Sequence, residues 1–143
     1  MCQIRKCSAA DFERVVTLLR QLWPTKSLDQ KRLKTVWDRA LTNSSQHLIC
    51  AIDGGDLVGF ASMSIKNNLW AEGFLGHVDE LIVTENSRGQ GIGTALVEHL
   101  VGIAEQAGCV RLELDSAFHR EEAHGFYESK GFKQRAYMFT RVL

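Results

Sequence analysis

Val78-Asp79-Glu80-Leu81-Ile82-Val83, a short loop, and then Arg88-Gly89-Gln90-Gly91-Ile92-Gly93-Thr94 form the stretch on which the reading of this chain turns. The first half alternates and is rich in β-branched residues, as a strand is. The second half leads into the best helical stripe in the chain, Ile92, Ala95, Leu96, His99, Leu100, Ile103 and Ala104. A strand therefore feeds a helix whose first turn has almost no side chains. The amides at a helix start lack intrahelical partners and sit at the positive end of the helix dipole. Glycines there let an anion reach the backbone, so the turn suits a phosphate or pyrophosphate, with Arg88 as a cation at its rim. A tight loop whose glycines only relieve crowding is the alternative. A P-loop is excluded because no Gly-Lys-Ser/Thr follows. The dinucleotide fingerprint fails as well, since Thr94 stands where its third glycine belongs and the turn lies mid-chain.

Working outward, residues 2–7 read as a first strand. Ser8 caps a helix carrying Phe12, Val15, Val16, Leu19, Leu22 and Trp23, which Pro24 ends. Ser27-Leu28-Asp29-Gln30 fits a capping box before a second stripe, Leu33, Val36, Trp37, Ala40 and Leu41. Residues 47–52 and 57–65 make strands around the Asp53-Gly54-Gly55-Asp56 turn, residues 66–73 a loop, and 74–84 a long strand. Beyond the glycine-rich helix, which Gly108 stops, come a strand at 110–114, a helix at 121–130 closed by Gly131, and two short strands near 132–136 and 137–142. The order βααβββαβαββ predicts an α/β or α+β sheet with helices on both faces, in one domain spanning residues 1–143.

Composition narrows the function classes. The chain has 143 residues, 45% of them hydrophobic, and 17 basic against 17 acidic side chains, so neither nucleic acid nor an anionic membrane is the expected partner. No window reaches the roughly 18 apolar residues of a membrane span. Cys2, Cys7, Cys50 and Cys109 lack metal-site spacing and read as reduced thiols of a cytoplasmic protein; no metal is expected.

Arg88-Gly89-Gln90-Gly91-Ile92-Gly93 matches the (Gln/Arg)-x-x-Gly-x-(Gly/Ala) signature, and the chain thereby resembles the GNAT superfamily of N-acetyltransferases. Glu80-Leu81-Ile82-Val83 resembles the strand before that signature. Ala123-His124-Gly125-Phe126-Tyr127-Glu128-Ser129-Lys130-Gly131-Phe132 resembles the family's Ala-x-x-Phe-Tyr-x-x-x-Gly-Phe segment. The resemblance implies a mixed, mostly antiparallel sheet of six to seven strands whose fourth and fifth strands splay, with acetyl-CoA as co-substrate. It implies that the backbone of Leu81, Ile82 and Val83 pairs with pantetheine, one N–H acting as an oxyanion donor. The amides of Gly89, Gln90, Gly91, Ile92, Gly93 and Thr94 would hold the pyrophosphate.

It also implies catalytic residues. An alkyl ammonium is only about 0.1% neutral at pH 7, and only the neutral amine attacks. Glu80 is the first choice of base, with Asp79 and Glu72 in reserve; regular alternation would put Asp79 on the opposite strand face. Tyr127 matches the tyrosine that serves the departing thiolate. His77 and Asp79, flanking Val78, are placed to co-ligate a metal or orient an amine. Arg120 stands where the family commonly has Asn and carries no cofactor role.

The acceptor is expected to be a primary amine of a small molecule. The Arg120-x-x-Ala123-His124-x-Phe126-Tyr127 stretch is similar to aminoalkylphosphonate N-acetyltransferases, and Leu19-x-x-Leu22-Trp23-Pro24 to aminoglycoside 6′-N-acetyltransferases. Trp23 and Trp37 lie on apolar stripes and read as core. A non-catalytic acyl-CoA sensor, a protein lysine or N-terminal acetyltransferase and a dinucleotide-binding module are the rival readings. Members of the resembling family are often homodimers.

Overall fold

The computed structural model describes residues 2–143. Five strands form one sheet in sequence order: β1 (Cys2–Lys6), β2 (Gln46–Asp53), β3 (Asp56–Asn68), β4 (Gly73–Val83) and β5 (Cys109–Leu114). The first four pair antiparallel, the β2–β3 turn being the Asp53–Asp56 hairpin. β5 returns parallel to β4 through a helical crossover, as a parallel pair requires. The helices are α1 (Phe12–Leu22), α2 (Gln30–Leu41), α3 (Ile92–Gln106) and α4 (Glu121–Ser129).

Alternation sorts the two faces. On β2, Leu48 and Cys50 pack toward α1 and α2 with Phe12, Val15, Leu19 and Trp37, while Ile49 and Ala51 pack toward α3 with Leu96 and Leu100. Leu96 and Leu100 are fully buried, and truncating either to Ala would cost about 2–5 kcal/mol. Gly59 on β3 lets α3 start so close to the sheet: a Cβ there would meet Leu96 Cδ1 at 3.0 Å and Ala51 Cβ at 3.2 Å. That contact positions the glycine-rich turn over the end of β4.

Three expectations change. The sheet has five strands, not six to seven, because residues 132–143 form no ladder. Tyr137, Phe139 and Val142 alternate as a strand would, yet they are 77%, 92% and 91% exposed and the tail pairs with no strand edge. Strand propensity without an edge to pair with gives no strand. β3 runs on to Asn68, through residues expected to be a loop, because β4 pairs with it all the way. The cap of α2 is Asp29, whose carboxylate accepts from the Arg32 amide at 3.0 Å, rather than Ser27.

Candidate active site

β4 pairs with β5 only as far as Val78–Leu114 and then continues alone to Val83. The two strands part there, which leaves that edge of β4 open over Leu81, Ile82 and Val83. The register against β3 shifts at the same place: Ser62 faces Glu80, but Met63 faces Val78, so Asp79 is an extra, bulged residue. The bulge changes which side chains share a face. Val78 packs against the α3 side, whereas Ile82, two residues past Glu80, packs on the α1/α2 side. Asp79 and Glu80 both line a cavity on that second side. Regular alternation would have separated them; the bulge brings them together.

The cavity, about 90 Å³, lies between the sheet and helices α1 and α2, and Leu33, Val36, Trp37, Gln46 and Ser62 contribute to its wall. Ser62 pins Glu80 twice. Its hydroxyl donates to Glu80 Oε1 at 2.6 Å and accepts the Glu80 amide at 3.1 Å. Burial pushes the Glu80 carboxyl above its ordinary range; the Ser62 bond opposes this, Asp79 adds to it and His77 opposes it. Asp79 accepts from the Ser64 hydroxyl and from His77, Nδ1 to Oδ1 being 2.8 Å. The other ring nitrogen of His77 meets Asp115 Oδ2 at 2.9 Å. Only an imidazolium donates from both nitrogens, and the two carboxylates, Asp79 foremost, raise the His77 pKa against the effect of burial. With both nitrogens so engaged, His77 orients the acidic group and presents no free lone pair to a metal.

Glu72 is not part of this group. It sits in the turn before β4, at the opposite end of the strand from Glu80, in a left-handed conformation (φ 55°). Tyr127 lies on α4, edge-on to Phe126 (centroids 5.5 Å apart) and Phe132 (5.9 Å). Burial raises its phenol pKa, with Arg120 acting weakly in the other direction, so it stays a proton donor. Trp23 and Trp37 both pack into the core, as their stripes predict. Ser62, Ser64 and Asp115 were missed. Their only signal in the sequence was the i, i+2 spacing of two serines on the strand preceding β4.

The glycine-rich turn sits at the head of α3. Gly89 and Gly91 have φ of 77° and 83°, and a Cβ on either would meet nothing within 4 Å, so conformation rather than crowding selects glycine there. Gly93 is different: its Cβ would touch the Phe126 ring at 3.4 Å, so this glycine admits α4. Ala95 donates the first bond of the helix, to the Gly91 carbonyl at 3.0 Å, which leaves the amides before it without acceptors in their own turn. Arg88 does not swing free at the rim; its Nε donates to the Val83 carbonyl at 3.0 Å and ties the loop to the end of β4.

Residues 12–132 match the model of the acetyltransferase (GNAT) family. The chain belongs to that family. It is an N-acetyltransferase. An aminoalkylphosphonate N-acetyltransferase of Salmonella typhimurium is 30% identical over all of this chain and 92% of its own length. A glucosamine 6-phosphate N-acetyltransferase of Trypanosoma brucei brucei is 29% identical over 92% of this chain and 88% of its own. In fold, a solved aminoglycoside N-acetyltransferase in complex with CoA matches with a TM-score of 0.89 at 18% identity, over 99% of this chain and 95% of that one.

GNAT enzymes use acetyl-CoA, and this chain's residues fit that co-substrate: unpaired helix-start amides with open glycines suit a pyrophosphate, and an unpaired strand edge suits an amide-containing arm. A second cluster does not fit a ligand. Cys7, Asp11 and Cys50 converge in the core, their donor atoms all within 4.8 Å of one another. The Asp11 oxygens are taken by Arg5, Arg14 and the Ser8 amide, and two guanidiniums oppose a metal cation. All four cysteines are free thiols, and no helix among the described residues is long and apolar enough to cross a membrane.

Proposed function

We propose that this GNAT enzyme acetylates a small primary amine, with the amine attacking the thioester directly and Glu80 accepting its proton. The observation that carries the reading is Glu80 itself: a half-buried carboxyl with a raised pKa, pinned by Ser62 on the wall of a cavity, where β4 parts from β5. A general base works best when its pKa lies near the operating pH, and such a base gives roughly 10²–10⁴-fold. Acetyl-CoA supplies the activated acyl group. The open edge of Leu81, Ile82 and Val83 would hold its pantetheine arm, and Arg88 with the amides of Gly89, Gln90, Gly91, Ile92, Gly93 and Thr94 its pyrophosphate. Tyr127 would protonate or hydrogen-bond the departing thiolate. Asp79 and His77 hold charge beside the base.

Relatives named for small amines, at 29–30% identity over nearly the whole chain, favour a small-molecule acceptor over a protein lysine or N-terminus. In the same reading residues 1–143 act as one acetyltransferase unit, free thiols favour a reducing, cytoplasmic setting, and the exposed apolar tail favours pairing of two copies. The test is thiol release: protein, acetyl-CoA and a panel of primary amines, with free CoA titrated. Turnover with a small amine is expected. Saturable CoA binding without thiol release across the panel would instead make the protein an acyl-CoA sensor.

A further inference from the structure

The cavity beside Glu80 holds one polar group that neither the fold nor the transfer step uses. Trp37 lines it and is 5% exposed, its ring packed against Phe12 at 5.7 Å and Phe60 at 6.2 Å. Its Nε1–H has no hydrogen-bond partner among the described residues. An indole nitrogen can only donate, and buried donors are nearly always paired. A tryptophan needed only for packing could be any large apolar residue; this one brings a donor to the wall that also carries Glu80.

The rest of the lining says what that donor would meet. Apart from Gln46 and Ser62 it is apolar or acidic, with Asp79 and Glu80 side by side and no Lys or Arg among the described residues. A phosphate or phosphonate bound there would face two carboxylates with no cation to offset them. The guanidiniums of Arg111 and Arg135 are committed elsewhere: they stack on Trp70 at 4.8 and 4.2 Å, each lies 3.4 Å from Glu113, and neither lines the cavity.

We infer that Trp37 is a specificity contact for the acceptor: its Nε1–H donates to an uncharged oxygen, a hydroxyl, ether or carbonyl, of a small amine whose nitrogen lies at Glu80. The enzyme accordingly prefers neutral, oxygen-bearing amines to phosphorylated or phosphonate-bearing ones, unlike what the names of its Salmonella and Trypanosoma relatives specify. This rests on the reading of the cavity as the acceptor site.

The test compares 3-aminopropanol with butylamine, its isostere lacking the oxygen, and with 2-aminoethylphosphonate, and glucosamine with glucosamine 6-phosphate, in the wild-type enzyme with acetyl-CoA. Thiol release should give 3-aminopropanol a kcat/KM about tenfold above butylamine, one hydrogen bond's worth, and further above the phosphonate; glucosamine should exceed its 6-phosphate. Trp37→Phe should level 3-aminopropanol with butylamine by raising the KM of the former about tenfold. The inference is overturned if the phosphonate or the 6-phosphate is the better substrate, if the hydroxyl advantage survives Trp37→Phe, or if no neutral oxygen-bearing amine is acetylated. Glu80→Gln in the same assay separates the two levels. Its loss of turnover together with a phosphonate preference leaves the proposed function standing without this inference, whereas undiminished turnover removes Glu80 and the cavity reading with it.

Discussion

Two carboxylates, Asp11 and Glu80, lie on the α1/α2 side of the sheet, and the protein treats them in opposite ways. Asp11 is 1% exposed and surrounded by donors: Arg5 binds both of its oxygens at 2.8 and 3.0 Å, Arg14 adds a bond at 2.8 Å and the Ser8 amide another at 2.8 Å. The bond from Arg5 holds its carboxyl well below the usual range, against the effect of burial. Glu80 has one side-chain donor, the Ser62 hydroxyl, and no facing guanidinium, so burial wins and its carboxyl is raised. A carboxylate saturated by cations has no lone pair left for chemistry; it joins β1 to α1. A carboxylate under-supplied with donors at a cavity wall is the one able to take a proton.

The sharpest way to break that contrast is Glu80→Gln. Turnover should fall about 10²–10⁴-fold while acetyl-CoA affinity, read by calorimetry, stays near wild type. Folding stability should hold or rise at pH 7. A carboxyl whose folded pKa is raised loses stability as pH climbs past its unfolded value near 4.3, and the amide removes that loss.

Asp11→Asn should do the reverse, leaving turnover in place and destabilising the fold. Breaking a buried ion pair costs about 3–5 kcal/mol, but the guanidiniums of Arg5 and Arg14 are 33% and 46% exposed and can return to water, so about 1–3 kcal/mol is expected. The sign with pH is also opposite. A depressed carboxyl stabilises above its unfolded pKa near 3.9 and loses that contribution as pH falls toward its folded value. Urea unfolding at pH 7 and pH 3 should therefore show the Asp11→Asn deficit shrinking in acid. A deficit of equal size at both would assign it to packing.

The sequence made these two sites unequally legible. The cofactor turn is a local object, because glycines that need positive φ and a helix start are written in consecutive residues, and Gly89 and Gly91 were readable as such. Glu80 was readable as a carboxylate on the right strand. The bulge at Asp79 was not, since a bulge is a mismatch between β4 and β3 and neither strand carries it alone. Trp37 shows the same limit: its stripe gave its burial, but whether an indole N–H finds a partner depends on three elements that meet only in the folded chain. The tail was misread in the other direction, because Tyr137 and Phe139 alternate as a strand does while the missing edge partner leaves no trace in the sequence.

Tyr127 sharpens the contrast from a third position. Burial between Phe126 and Phe132 raises its phenol as it raises the Glu80 carboxyl, and here the consequence is a group that keeps its proton until a thiolate asks for it. Tyr127→Phe preserves the ring and should lower kcat roughly tenfold, below the full range of acid–base effects because a thiolate is already a fair leaving group. The KM for acetyl-CoA should change little. An unchanged kcat would reduce Tyr127 to a packing residue.

The smallest effect tests why Glu80 stops short of being fully protonated. Ser62 donates to the ionised form, so it draws the Glu80 pKa down against burial. Ser62→Ala removes that donor and leaves burial and Asp79 unopposed except by His77. The ionised base then becomes available only at higher pH, and the rising limb of kcat/KM should move to higher pH, with roughly a few-fold loss near neutrality and recovery on the alkaline plateau. A structural role for Ser62 would instead lower the whole profile without moving its midpoint. A midpoint that shifts in Ser62→Ala and stays put in Asp11→Asn would tie the titration that governs turnover to the donor-poor carboxylate and not to the donor-rich one.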